Sequence, residues 1–205
     1  MNNLFIYLHQ KSREQKFQLF LKLLRPTAAT RILNVGASGP HHALPEQFES
    51  RYEHLGQITG GGISLSEVQD YRDSFAGVKS LVFDGCALPF TDKSFDIVYS
   101  NAVIEHLPDR GSQQRFAAEV ARVGRGWFVT TPNLWYPMEL HYHLPFIQFL
   151  PQQWQLSLAT KLGKVPYDNL RLLSKSQLRE LFPQGSVLGC RVTFYSETLV
   201  AYCRP

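Results

Sequence analysis

Apolar residues first recur at helical spacing: Phe17, Phe20, Leu21 and Leu24 share one face, and Pro26 breaks the pattern. This predicts an N-terminal helical cover over residues 1–26, lying along one edge of the fold. The pattern then changes to short apolar runs punctuated by Gly and Pro. Arg31 to Val35 reads as a buried strand entering the loop Gly36-Ala37-Ser38-Gly39-Pro40. A second strand is expected over Gly56 to Ile63, weakened by Gly60-Gly61-Gly62, which offers no side chain to pack. Ser80 to Asp84 is a third strand ending on a carboxylate, and Phe95 to Ser100 a fourth, after a turn at Asp92-Lys93. A helix over Ser112 to Val123, with Phe116 and Val120 inward, precedes a fifth strand from Gly126 to Thr131 that stops at Pro132.

Alternation of strand and helix favours a parallel sheet covered on both faces. The tail breaks it. Val187 to Phe194 and Leu199 to Cys203 are joined only by Tyr195 to Thr198, which predicts an antiparallel hairpin. Dinucleotide-binding sheets more commonly close with parallel strands.

At 205 residues the chain is somewhat longer than the usual domain of roughly 100–150 residues, so one domain over 1–205 is expected. Its 44% hydrophobic and 19% charged residues are globular values and argue against disorder. The net charge of +4 comes from scattered basic residues, not a stripe, so no nucleic-acid partner is expected. Cys86, Cys190 and Cys203 are odd in number and widely spaced, which suggests neither disulfides nor zinc and fits a cytoplasmic location. The opening residues lack the basic and long apolar regions of a signal peptide. No stretch approaches the ~20 apolar residues of a membrane span. The oligomeric state is not readable.

In an open α/β sheet, ligands bind beyond the C-terminal strand ends, so chemistry is sought there. Gly36 and Gly39 would let the backbone approach a ligand, although a plain turn is an equal alternative and Pro40 removes one amide donor. More specific is Asp84-Gly85-Cys86-Ala87-Leu88-Pro89-Phe90, leading through Asp92-Lys93-Ser94-Phe95-Asp96 to Glu105-His106-Leu107. This stretch resembles the signature of class I S-adenosylmethionine-dependent methyltransferases of the type 11 group. The resemblance runs from about Arg31 to Cys203, and Phe128 to Pro137, with Leu144-Pro145-Phe146 and Leu150-Pro151, is similar to an uncharacterised bacterial subgroup.

The resemblance implies a Rossmann-like, mostly parallel seven-stranded sheet with a C-terminal antiparallel hairpin and helices on both faces. It implies S-adenosylmethionine as cofactor. Asp84 would accept from the adenine amino group, with Gly85 and Cys86 beside the ring; Asn101 and Ala102 would line the methionine portion; Asn34, Gly36, Ala37, Ser38 and Gly39 would form the loop beneath it. Structural alternatives are a turn or cap at Asp84 and a helix start at Asn101. Two departures stand out. Asn34, Ser38 and Pro40 replace an acidic residue and two glycines, and Ser64 replaces the carboxylate that holds the ribose hydroxyls. A neutral hydrogen bond contributes about 1 kcal/mol against roughly 1.5–3 for a charged one, so the second change implies weaker binding. Glu67 is either a substitute for that carboxylate or a solvated helix residue.

Methyl transfer from a sulfonium needs positioning above all, and a base only when the acceptor is a hydroxyl or protonated amine. His106, past strand four, is the first candidate, with orientation of the following helix as the alternative. Glu139, His141 and His143 crowd into the insertion over 134–175, which adds His141 as a second catalytic candidate. Crowding in sequence is not coordination geometry, so no metal is expected there. That aromatic insertion is either an acceptor lid or an apolar cover. The expected function is methyl transfer to a small-molecule or lipid-linked acceptor; the alternative is a degenerate methyltransferase fold acting as a non-catalytic binding module. A membrane-surface protein is a third reading, disfavoured because no basic amphipathic helix is visible.

Overall fold

The structure is a computed structural model that describes residues 3–37, 48–139, 141–165, 167, 170–193 and 196–205. Its elements in chain order are α1 (Asn3–Leu24), β1 (Ile32–Val35), β2 (Ile58–Gly62), α2 (Leu65–Ser74), β3 (Lys79–Val82), β4 (Phe95–Asn101), α3 (Arg110–Val123), β5 (Gly124–Pro132), β6 (Met138–Glu139), β7 (Leu144–Pro145), α4 (Gln152–Lys161), α5 (Lys175–Leu181), β8 (Ser186–Thr193) and β9 (Ser196–Cys203). Seven strands form one sheet in the order β3-β2-β1-β4-β5-β9-β8. The first five in that order are parallel; β9 runs antiparallel to β5 and to β8, which is the hairpin expected from the tail.

β1 shows why the sheet must be covered twice. Ile32 packs with Phe20 and Leu24 of α1, Ile97, Phe128 and Val200 on one face, while Leu33 and Val35 join Phe116, Val120, Leu178 and Phe182 from α3 and α5 on the other. Alternate residues on one strand thus feed two cores. α1 lies over a face of the sheet and not along an edge: Phe20 packs edge-on against Tyr99 and Phe128, on the central strands β4 and β5.

Boundaries differ from the sequence expectation where local hydrogen bonding intervenes. β3 ends at Val82, and Asp84 instead bridges Ala87 in a turn. β2 begins at Ile58 after a 3-10 turn over Leu55–Gln57, and α3 begins at Arg110 because the Asp109 carboxylate accepts from the Ser112 amide.

The glycine run in β2 has a packing reason. A Cβ on Gly60 would sit 2.4 Å from the Tyr71 hydroxyl, so the glycine admits a fully buried tyrosine from α2. Gly36 is required twice, by its φ of 83° and because a Cβ there would strike Val103.

Candidate functional site

Strand register sets the floor of the site. Asn34 pairs with Gly60 and with Tyr99, so Gly36 is level with Gly62 and Asn101 at the ends of β1, β2 and β4. Gly62 pairs with Val82, so Ser64 and Asp84 are level two residues further on. Gly36, Ala37, Ser64, Asp84, Gly85, Cys86, Asn101 and Ala102 therefore lie at or just beyond the C-terminal ends of the parallel strands. Ser38 and Gly39 lie outside the described residues.

The side chains are committed in different ways. Asp84 Oδ1 accepts from the Cys86 amide at 2.8 Å, and the residue is otherwise exposed, so the turn role and an outward-facing acceptor coexist. Arg122 donates to the Leu88 and Phe90 carbonyls while Glu119 accepts from the Leu88 amide, fastening this loop to α3. Gly85 is closely packed, since a Cβ there would lie 3.0 Å from the Phe116 ring, which would have to shift slightly. The Cys86 thiol donates to the Ser112 carbonyl at 3.4 Å, and burial pushes its pKa up.

Ser64 is the N-cap of α2, accepting from the Glu67 amide at 3.3 Å. Its neighbours Ile63 and Leu65 are 79% and 61% exposed, uncovered apolar surface beside Asp84's strand end. An exposed carboxylate, a hydroxyl and two uncovered apolar side chains thus lie at neighbouring strand ends.

Asn34 points the other way. Its amide donates to Glu49 at 2.6 Å, and the Tyr71 hydroxyl donates to the same oxygen at 2.8 Å. All three side chains are buried, and desolvation raises the pKa of Glu49 above the usual carboxylate range. A carboxylate is therefore still present beneath the loop, supplied by Glu49. Nothing local in the sequence marks it.

α1 closes the far end. Arg13, Lys16, Phe17, Phe48, Arg51 and Tyr99 join Asn34, Gly36, Ala37 and Asn101 around a small cavity of about 40 Å³. Asn101 Oδ1 accepts from Lys16 Nζ at 2.7 Å and from Thr130 at 2.8 Å. Desolvation lowers the Lys16 pKa to about 8, helped by the charge of Arg13. Ala102 adopts a φ of 57°, a left-handed conformation held by its amide bonding to the Thr130 carbonyl. The excess of cationic side chains here suits the carboxylate end of an amino-acid-bearing ligand. Sequence reading missed Arg13 and Lys16 because helical spacing alone showed only the apolar face of α1.

Beyond β4, the turn Ile104–His106 carries the candidate base, and Gln113 of α3 pins it by donating to the Ile104 and Arg171 carbonyls. The insertion is tied at both ends: Asn133 bonds Glu197, and the Leu134 amide reaches the Leu173 carbonyl. Tyr142, Ile147 and Ala159 give it a small core of its own, and the β6–β7 hairpin carries His141 into contact with His106. Their Nε2 atoms lie 3.2 Å apart. On its other side, His141 Nδ1 is 2.7 Å from Glu139 Oε1, and Glu139 Oε2 accepts from the His141 and Tyr142 amides. Burial alone would lower the His141 pKa, but the bond and charge of Glu139 raise it on balance. Glu139 is held below its ordinary value by those contacts despite its burial.

Glu105, quoted in the signature without a role of its own, is fully buried beside this pair, and burial pushes its pKa up to about 7. His143 sits in the same hairpin turn with a φ of 54°, and burial lowers its pKa; it is not part of the His106–His141 contact.

A family model described as a methyltransferase domain matches residues 34–129. A curated relative, 27-O-demethylrifamycin SV methyltransferase of Amycolatopsis mediterranei, is 32% identical over 105 residues, 47% of this chain; the match spans only 36% of that relative's length. Among solved structures, the YcgJ protein of Bacillus subtilis superposes with a TM-score of 0.58 at 20% identity, over 87% of this chain and 71% of that one. Magnesium protoporphyrin IX methyltransferase of Synechocystis PCC 6803, solved with bound SAH, gives 0.60 at 13% identity over 98% and 88%. These two share the fold. Strand order and the matched segment agree: residues 34–129 resemble a methyltransferase domain, and the chain has the fold of the methyltransferases it superposes on.

Proposed function

We propose that the chain transfers the methyl group of S-adenosylmethionine to a hydroxyl-bearing small-molecule or lipid-linked acceptor. The observation that carries this reading is the alignment of Gly36, Ser64, Asp84 and Asn101 at neighbouring parallel strand ends. When bound, the cofactor supplies an electrophilic methyl carbon on a sulfonium. The chain's own residues do the rest by position. Asp84 orients the base, Ser64 touches the sugar, and Asn101 with Lys16 and Arg13 holds the amino-acid end. That places the methyl toward the turn that carries His106.

The acceptor approaches from the insertion. Trp135 and Phe149 lie with rings 5.7 Å apart and stay exposed, as do Phe146 and Trp154 of the same insertion, which suits a bulky apolar molecule. The name of the curated relative, an O-demethylrifamycin methyltransferase, supports an oxygen acceptor. An oxygen acceptor has a proton to lose, and His106, backed by His141 and Glu139, stands where that proton is handled.

Calorimetry with S-adenosylhomocysteine tests the reading. One site with a micromolar dissociation constant is expected. No binding at millimolar ligand would overturn it in favour of a non-catalytic module.

A further inference from the structure

We propose that Glu105, His106 and His141 form a binding site for a divalent first-row metal ion, with Glu139 as the carboxylate that orients His141. The three residues each present a ligand atom, and these atoms all lie within 4.8 Å of one another. Two imidazoles and one carboxylate with room for further ligands is a donor set suited to zinc, manganese or ferrous iron.

Three features of the cluster share this one explanation. First, the two Nε2 atoms face each other at 3.2 Å. Two nitrogens bound to one tetrahedral ion at about 2.0–2.1 Å are separated by about 3.3–3.4 Å, so the spacing needs almost no adjustment. Second, Glu139 accepts from His141 at Nδ1, which leaves the Nε2 lone pair directed at the cluster. A carboxylate behind a ligating histidine is the usual outer partner of such sites; it fixes the tautomer and ring orientation. Third, Glu105 is fully buried, its carboxylate meets only the Thr131 hydroxyl and its own backbone amide, and neither contact is a well-formed hydrogen bond. A buried carboxylate so weakly served is costly unless it is protonated or a cation satisfies it. A simple bond between the two histidines accounts for the first feature and does not involve Glu105.

The site is also rigid. Gln113 and the Arg171 amide clamp the backbone of the 104–106 turn, while the Tyr167 ring packs 5.7 Å from His106 and 5.1 Å from His141. His106 and His141 come from separate segments, the turn after β4 and the insertion after β5, so the site exists only in the folded chain. That is why crowding of Glu139, His141 and His143 gave no reason to expect a metal: the third ligand is Glu105, and His143 takes no part. A four-coordinate ion held by three protein ligands keeps its fourth position for water or for an acceptor oxygen. The histidines then act on the acceptor proton through the ion they hold, which deepens the acceptor-side reading without resting on cofactor binding.

The test uses the whole chain, stripped with chelator and titrated with Co2+ and Zn2+. Expected are one equivalent of Co2+ with the absorption bands of a nitrogen–oxygen site, displacement by Zn2+, and a raised melting temperature with Zn2+. His106→Ala and His141→Ala should each weaken binding at least a hundredfold, and Glu139→Gln by about ten- to a hundredfold. His143→Ala should bind as the parent does. Glu105→Gln keeps the shape of the buried side chain and guards against variants that fail to fold; it too should lose affinity. No stoichiometric binding at micromolar metal, or binding that survives loss of both histidines, overturns the proposal. S-adenosylhomocysteine affinity, measured separately on the same samples, tells failure of the metal site from failure of the methyltransferase reading.

Discussion

Lys16 donates to the side chain of Asn101 at 2.7 Å, so the N-terminal helix is latched to the end of the fourth strand, where the methionine end of the cofactor is proposed to lie. The latch places a cation in a poorly solvated spot, and the lysine pKa falls to about 8.

The sign of the resulting pH dependence follows. Below pH 8 the lysine is charged in both states, and the folded state carries the desolvation cost; between about 8 and the ordinary 10.5 the unfolded chain binds more protons. Stability contributed by this group therefore rises with pH across that window, with a slope of at most about 1.4 kcal/mol per unit. Urea unfolding at several pH values, on the parent and on Lys16→Met, checks it. The substitution should flatten the difference; parallel profiles would refute the assignment.

Asp84→Ala should weaken S-adenosylhomocysteine binding by more than tenfold, since it removes a charged acceptor worth roughly 1.5–3 kcal/mol. Asp84→Asn should lose less, because the amide oxygen can still accept from Cys86 and from the ligand. Equal affinities for parent and alanine variant, measured calorimetrically, would mean the carboxylate serves only its own turn.

The sheet was readable from the chain because its central strands β1, β4 and β5 are short apolar runs buried on both faces, and its floor because glycines and a carboxylate follow the strand runs directly. The pairing of His106 with His141 was legible only as two neighbouring strand ends. Glu105, Glu49 and Lys16 were not legible. Each owes its importance to a partner distant in sequence, such as Asn101, which is 85 positions from Lys16. A polar residue inside an apolar run gives no sign of which partner it will meet. Asn34 shows this: strand alternation turns it away from Leu33, but only the fold brings Glu49 to it.

Ser64→Asp should tighten cofactor binding by about fivefold, close to 1 kcal/mol, because a carboxylate accepts from both ribose hydroxyls. Aspartate is also a good helix N-cap, so the start of α2 is preserved. An unchanged affinity would place the ribose elsewhere.

Gly60→Ala should destabilise the fold by roughly 1–3 kcal/mol through overpacking against Tyr71. Gly56→Ala, whose Cβ would meet nothing within 4 Å, is the control and should shift stability by about 0.5 kcal/mol or less. Equal melting temperatures for the two variants would show that α2 yields at no cost, and that the glycine has no packing role.

The last expectation concerns catalysis. His106 is held by the turn after β4, and His141 by a hairpin that owes its place to Asn133, Leu134 and the small core around Tyr142. Neither side chain is needed for the strand-end floor, so cofactor binding and acceptor activation should separate. With a hydroxyl acceptor, His106→Gln should lower kcat by roughly 10²–10⁴-fold while S-adenosylhomocysteine affinity stays within about twofold. Glu139→Gln should lower kcat less, since it loosens His141 without removing either ring. An acceptor whose reacting atom is carbon or a neutral amine should show little dependence on either residue, because it has no proton to surrender before attack. Loss of turnover and cofactor affinity together in His106→Gln would contradict this division: it would mean that the 104–106 turn shapes the floor itself, through Val103 against Gly36, and that the histidine positions structure instead of chemistry.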